Sequence, residues 1–238
     1  IVALTAAMPD GTGLSAFQER FPDRFYDLGI CEAHTVALAA GLAAGGMRPV
    51  VGMYSTFLQR AYDQLYHELS LNADLSVVLL VDRAGIVGAD GPTHQGAFDV
   101  AYLRSLPGFT VAAPADEAEL RGMLARALAR EGSTAIRYPR DLVPEAPLSD
   151  QPVEEGRGAV LRHGNDGTLL AYGAAARAAV EAASTLAGEG IELTVVSARY
   201  CKPLDVALLE KLLRNSPWLV TVEEGTEAGG FGSACLEA

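Results

Sequence analysis

The sequence predicts an α/β protein built as two three-layer α/β/α domains with mostly parallel sheets, and three observations carry that prediction. Short β-rich runs alternate with helix-length amphipathic runs, the pattern of successive βαβ units. The runs Val50-Val51-Gly52-Met53, Val77-Val78-Leu79-Leu80-Val81 and Phe109-Thr110-Val111-Ala112 are apolar without alternation, as strands buried on both faces are. Between residues 141 and 158 the pattern stops, and beyond them it resumes. A chain of 238 residues holds one large domain or two small ones.

In chain order, a strand-like stretch ends at Gly29 and a helix begins near Glu32, with an Ala-rich body over 35–44. Apolar residues at helical spacing predict a helix over 57–71. Residues 116–130 open with Asp116-Glu117 and close in basic residues, matching the helix dipole at both ends. A last strand precedes Arg140. Three prolines (Pro144, Pro147, Pro152) and five acids (Asp141, Glu145, Asp150, Glu154, Glu155) then mark 141–158 as an interdomain linker. After it come strands at 168–172, 193–197 and 218–222, helices at 174–186 and 205–213, and a new helix near Gly229-Gly230-Phe231-Gly232. The expected division is 1–140, linker 141–158 and 159–238. Three strands make the second domain thin, so it is expected to be small or incomplete.

Composition excludes several function classes. A formal net charge of −12 repels phosphate backbones and argues against a general nucleic-acid binder. The longest stretch without an ionisable side chain, residues 35–47, is too short to span a bilayer as a helix. Cys31, Cys201 and Cys235 form an odd, scattered set without a CxxC pair. They argue against a disulfide framework or structural zinc and favour a reducing cytoplasm. The chain opens on Ile1-Val2-Ala3-Leu4, with neither Met nor a basic signal segment, so it reads as entered partway.

Four segments carry chemistry. The loop over 82–99, from Asp82-Arg83-Ala84-Gly85 through Asp90-Gly91-Pro92-Thr93-His94 to Asp99, is rich in glycine and titratable groups and follows a buried strand. Ligands bind at the carboxyl ends of parallel strands, but a structured turn with a surface histidine has the same composition. Asp27-Leu28-Gly29-Ile30-Cys31-Glu32-Ala33-His34 puts an acid in a first helical turn, either as a dipole-compensating cap or as a carboxylate for a ligand nitrogen. Tyr54-Ser55-Thr56-Phe57-Leu58-Gln59-Arg60 offers aromatics that serve as core or as a stacking platform. Arg137-Tyr138-Pro139-Arg140 offers guanidinium groups suited to phosphate or carboxylate, or to ordinary surface ion pairs. All four follow predicted strands, so one parallel sheet brings them to one edge.

These residues also carry a resemblance. Glu19-Arg20-Phe21-Pro22-Asp23-Arg24-Phe25-Tyr26-Asp27, Gly29-Ile30 with Glu32 and His34, the run from Tyr54 through Gln64, the 82–99 loop and Arg137-Tyr138-Pro139-Arg140 together resemble the 1-deoxy-D-xylulose-5-phosphate synthases. Those are thiamine-diphosphate enzymes of the transketolase superfamily, and the likeness spans essentially the whole chain. The resemblance implies that Glu32 matches the glutamate that hydrogen-bonds N1′ of the cofactor's aminopyrimidine, and Phe57 the ring packed on it, with Ile30, Tyr54 and Arg60 nearby. It implies that Asp90 and His94 line the substrate pocket, His94 assisting proton transfer, and that Arg83 and Arg140 grip the phosphate of glyceraldehyde 3-phosphate. The implied reaction decarboxylates pyruvate and joins its remaining carbons to that aldehyde. The product feeds isoprenoid, thiamine and pyridoxal phosphate synthesis, in a cytoplasmic homodimer that uses Mg²⁺.

One departure qualifies this. The family holds diphosphate and Mg²⁺ with a Gly-Asp-Gly motif in an amino-terminal domain, and no Gly-Asp-Gly occurs here. The chain is therefore expected to contact half of the cofactor, to hold no metal itself, and to be inactive unless a second polypeptide or segment supplies the diphosphate domain. Two alternatives stand beside it. The β-subunit of a 2-oxo acid dehydrogenase has these two domains on a separate chain, and a non-catalytic α/β scaffold subunit would keep the fold alone.

Overall fold

The computed structural model describes residues 1–143 and 146–238. Its first element, β1 (Val2–Thr5), is the apolar run at the start of the chain, buried at every position, and adds a strand to those the sequence predicts. There follow α1 (Ser15–Arg20), β2 (Phe25–Asp27), α2 (Glu32–Ala44) and β3 (Pro49–Tyr54). The helix expected over 57–71 is instead a succession of short turns: α3 (Ser55–Leu58), a 3-10 turn Gln59–Ala61, α4 (Tyr62–Gln64) and a π-helical stretch Leu65–Ser70. Leu58, Ala61, Leu65 and Leu69 are all buried. Their spacing of three and four residues puts them on one side whichever turn type connects them, so periodicity could not choose among α, 3-10 and π geometry.

The first half continues with β4 (Val78–Asp82), α5 (Asp99–Ser105), β5 (Thr110–Ala112), α6 (Glu117–Ala129) and β6 (Thr134–Arg137). Asp116 caps α6, its carboxylate accepting from the Glu119 N–H at 2.9 Å, as the acidic start of that helix predicts. The second half contains β7 (Ala159–Arg162), β8 (Gly167–Ala171), α7 (Ala175–Ala187), β9 (Leu193–Ser197), β10 (Tyr200–Lys202), α8 (Val206–Asn215), β11 (Leu219–Val222) and α9 (Phe231–Glu237).

Among the described residues these strands form two sheets. The seven-stranded sheet has the order β10-β5-β6-β4-β3-β1-β2 and the four-stranded one β11-β8-β9-β7. Every pairing is parallel except β10 with β5 and β7 with β9. The second sheet thus has four strands where the sequence predicts three, because β7 is short and mixed in character. In addition β10, from the second half of the chain, completes the first sheet.

Packing explains the unalternating strands. Val51, Met53, Leu79 and Val81 join Val36, Ala39, Val100 and Leu103 on one face of the first sheet. Val50, Val78 and Ile136 meet Met123 and Ala127 of α6 on the other. The first cluster runs on through Tyr172, Val196, Leu209 and Phe231, so the halves share a core. Alanines 176, 179 and 183 of α7 cover the far face of the second sheet with Leu193 and Val195.

Among the described residues, 141–158 holds neither helix nor strand, yet it is no free tether. The buried Arg199 guanidinium donates to the carbonyls of Gln151 and Pro152 at 3.0 and 2.9 Å, and to Glu119 at 2.7 Å. The Leu148 N–H donates to Asp116 at 2.7 Å.

Candidate active site

Parallel pairing of β1 through β6 puts their carboxyl ends on one edge, and all four chemistry-bearing segments meet there. On one side, Ala6, Ala7 and Met8 after β1, Ile30 and Glu32 at the start of α2, and Phe57 and Arg60 after β3 line a cavity of ≈ 270 Å³. Glu32 is the first residue of α2 and only 5 % exposed. Its Oε1 accepts from Arg60 Nη1 at 2.5 Å, and the Arg60 guanidinium carbon lies 4.9 Å from the centroid of the Phe57 ring. A carboxylate at a helix N-terminus is stabilised by the dipole. Here it also fronts an apolar cavity, so the cap and ligand readings of Glu32 are compatible.

The wall of this cavity is braced by Asp27, a residue with no assigned role at the sequence level. Its Oδ1 accepts from the N–H groups of Ala7 at 2.8 Å and Gly29 at 3.0 Å. Both donors have positive φ, 61° and 67°, so one carboxylate fixes the two turns that flank Glu32. The spacing Asp27 to Gly29 is that of an Asx-turn, the one signal that could have found it.

The other side is dense in charge. Arg83, in a left-handed conformation (φ 55°), sits over the Tyr54 ring at 4.1 Å. It donates to Asp82 Oδ2 at 2.6 Å, the Gly11 carbonyl at 2.5 Å and Asp90 Oδ2 at 3.4 Å. Asp90 also pairs with Arg140. Burial pushes the Asp82 carboxyl up against the opposing pull of Arg83, and burial likewise raises the Tyr54 hydroxyl. The two arginines are unlike. Arg83 is committed inside the protein, whereas the Arg140 side chain is 56 % exposed and therefore open to a ligand.

His94 joins the two sides. Its ring meets Phe57 edge-on at 5.3 Å and Tyr54 at 6.2 Å, while Tyr54 and Phe57 stack at 5.8 Å. Thr93 Oγ1 lies 3.0 Å from His94 Nδ1, and Thr56 Oγ1 donates to the Thr93 carbonyl at 3.1 Å. Within the loop the Gln95 amide donates to the Gly91 carbonyl and accepts from the Val87 N–H. Ile30, Glu32, Phe57 and Arg60 thus share one cavity, and Tyr54, Arg83, Asp90, His94 and Arg140 form one contact network beside it. Sequence reasoning missed the buried pair Arg137–Asp99 behind the loop (3.0 Å). It left Arg137 and Arg140 open between ligand binding and surface ion pairing; Arg137, at the end of β6, takes neither course and is buried against Asp99.

Chemically, the cavity offers an aromatic face and one carboxylate to a flat heterocycle, and the network offers an imidazole and an exposed guanidinium to a polar, anionic molecule. Among the described residues no cluster of three or more His, Cys, Asp or Glu could hold a metal ion, and no helix is long and apolar enough to cross a membrane. A larger cavity of ≈ 800 Å³ lies against α8, β11 and α9, away from these groups.

Comparison with known proteins identifies the family. Residues 1–145 match the family model of the transketolase pyrimidine-binding domain, and residues 156–238 that of the transketolase C-terminal domain. The 1-deoxy-D-xylulose-5-phosphate synthase of Gloeobacter violaceus is 53 % identical over 242 residues, covering 100 % of this chain and 38 % of that protein. The 1-deoxy-D-xylulose-5-phosphate synthase 1 of Geobacter sulfurreducens is 53 % identical over 240 residues, again all of this chain and 37 % of the relative. The chain therefore spans under two-fifths of the length of the curated relatives it matches. Among solved structures, a split gene transketolase described as an inactive β4 tetramer has a TM-score of 0.89 and 37 % identity, covering 99 % of this chain and 77 % of that one. A transketolase variant from Pichia stipitis in complex with fructose 6-phosphate has a TM-score of 0.81 over 96 % of this chain; at 23 % identity it speaks for the fold alone. With more than half its length matched by the pyrimidine-binding model, and with that split-gene relative, the chain belongs to the transketolase family.

Proposed function

We propose that this chain supplies the pyrimidine pocket and the acceptor-binding loop of a 1-deoxy-D-xylulose-5-phosphate synthase, its domains taken as 1–140 and 159–238. One observation carries the reading: the Glu32–Phe57 cavity abuts the His94–Asp90–Arg140 network through the Phe57–His94 contact. The donor set fits an aminopyrimidine, with one buried carboxylate for a ring nitrogen and an aromatic face beside it. When bound, thiamine diphosphate supplies the carbon nucleophile and the electron sink for decarboxylating pyruvate.

The chain's own residues do the rest. Glu32 shares a proton with N1′ of the pyrimidine, and for that Arg60 must yield part of its ion pair. Phe57 packs on the ring, and Ile30 closes the cavity against water. His94 moves a proton at the acceptor's oxygen. Arg140 takes the phosphate of glyceraldehyde 3-phosphate, with Arg83 behind it, and Asp90 holds both guanidinium groups until the phosphate competes.

The Gly-Asp-Gly motif with which the family holds diphosphate and Mg²⁺ does not occur in this sequence, so on this reading another segment or chain would hold them. The split gene transketolase, described as an inactive β4 tetramer, supports a chain that self-associates and works only with a complementary polypeptide. A cytoplasmic enzyme of isoprenoid and thiamine synthesis follows from the same reading.

Product analysis of the assembled enzyme tests it. Pyruvate with glyceraldehyde 3-phosphate should yield 1-deoxy-D-xylulose 5-phosphate, and pyruvate with a lipoyl domain should yield no acetylated domain. The reverse outcome would favour a 2-oxo acid dehydrogenase β-subunit.

A further inference from the structure

The loop that carries Asp90 and His94 is closed at its base by two glycines. Gly85 and Gly96 exchange N–H···O bonds of 2.9 and 2.8 Å, an isolated antiparallel bridge. Neither has room for a side chain. A Cβ on Gly96 would stand 2.1 Å from the Arg83 carbonyl, and one on Gly85 (φ 83°) would stand 2.3 Å from a carboxylate oxygen of Glu224.

That second contact comes from the far half of the chain. Glu224 follows β11 in the second sheet, and its carboxylate packs against the backbone at Gly85. Its main-chain carbonyl accepts from Arg137 Nη2 at 2.9 Å, and the same nitrogen lies 3.4 Å from the Gly96 carbonyl. Arg137 in turn is held by Asp99. Glu224 therefore reaches one strand of the bridge by its side chain and the other, through Arg137, by its main chain. The neighbouring Glu223 accepts the N–H groups of Phe231 and Gly232 at 2.9 and 2.8 Å, so the segment is itself anchored. Burial raises the Glu224 carboxyl, with Arg137 opposing; a half-buried carboxylate aimed at a loop's main chain is retained against that cost.

We propose that Glu224 is a positioning residue: from the second half of the chain it fixes the base of the 86–95 loop and so sets where Asp90 and His94 stand. This rests on the reading of that loop as the acceptor side of the site.

Hydrogen exchange on the 238-residue chain tests the proposal without catalysis. Glu224→Ala removes the carboxylate and keeps the carbonyl that Arg137 uses. Amides across 85–96 should then exchange about tenfold faster, the size of a typical single-side-chain loss, while those of α2 keep their wild-type rate. Glu224→Asp, milder on folding, should loosen the loop in the same direction, and Glu224→Gln, which keeps the side chain's length and its packing against Gly85, should restore most of the protection. Unchanged loop exchange in a folded Ala or Asp variant, or equal acceleration in α2, would overturn the proposal. In the assembled enzyme the Ala variant should raise KM for the aldehyde about tenfold and lower kcat with it, with KM for pyruvate unmoved. Faster loop exchange with unchanged aldehyde KM would leave the role of Glu224 standing and remove the acceptor reading beneath it.

Discussion

The two sides of the site are held in opposite ways. The Glu32 side is a mostly apolar cavity built from strand ends and first helical turns, with a single ion pair across it. The Asp90 side is a network of paired charges, Asp82–Arg83–Asp90–Arg140, in which strand ends supply Asp82, Arg83 and Arg140 and a 3-10 turn, Gly88–Asp90, supplies Asp90. The first side selects by shape and one proton. The second stays ordered without a ligand because its charges satisfy one another, and an incoming anion has to compete with Asp90 for Arg140. On the proposed reading the cofactor side sits on strand ends and first helical turns, and the acceptor side, His94 included, sits largely on a loop that other parts of the fold hold from behind.

Substitutions can break this contrast. The largest effect belongs to Glu32→Gln in the assembled enzyme, where turnover should fall about 10²- to 10⁴-fold with KM for the aldehyde little changed. Steady-state kinetics reads this, and unchanged turnover would remove Glu32 from catalysis and favour a scaffold role. Asp99→Ala should come next, acting on stability. It leaves the Arg137 guanidinium buried without its carboxylate, which costs about 3–5 kcal/mol in urea unfolding. Smaller again is Arg140→Ala. The exposed guanidinium contributes one charge-assisted contact, so KM for the phosphorylated aldehyde should rise about 10- to 100-fold, pyruvate being unaffected. An equal rise for both substrates would place Arg140 outside the acceptor side.

Much of this contrast was legible in the sequence, and unevenly so. The α/β class came from unalternating strands, which two apolar faces require. The residues on both sides of the site came from segments at strand ends together with the family resemblance. What stayed illegible depends on distant partners. The β10 strand is three residues long and pairs with β5 some ninety positions away, so no local period marks it. Arg137 stayed open between ligand and surface ion pair because nothing near it in the chain reveals Asp99. Glu224 carried no signal, since its role exists only where the second half meets Gly85. The turns over 55–70 share one apolar spacing among three helix types, a degeneracy that only packing resolves.

The smallest predicted effect is one of pH. Burial raises the Glu224 carboxyl in the folded state, with the Arg137 guanidinium opposing and Asp141 adding to the rise. A group with a raised folded value contributes its stability below its unfolded value and loses it as pH climbs through the folded one. Between about pH 4 and pH 7, bracketing the ordinary carboxylate range, the wild-type urea midpoint should therefore slip relative to that of Glu224→Gln. A midpoint difference independent of pH would mean that the carboxylate is no less comfortable folded than unfolded.

On the proposed reading this chain carries the pyrimidine and acceptor halves of the site but no seat for the diphosphate and its metal. Calorimetric titration of the chain alone with thiamine diphosphate and Mg²⁺ tests that most directly. It should show no binding tighter than about 1 mM, a free energy near −4 kcal/mol, with tight binding appearing once a polypeptide bearing the Gly-Asp-Gly domain is added. Micromolar binding by the chain on its own would contradict it.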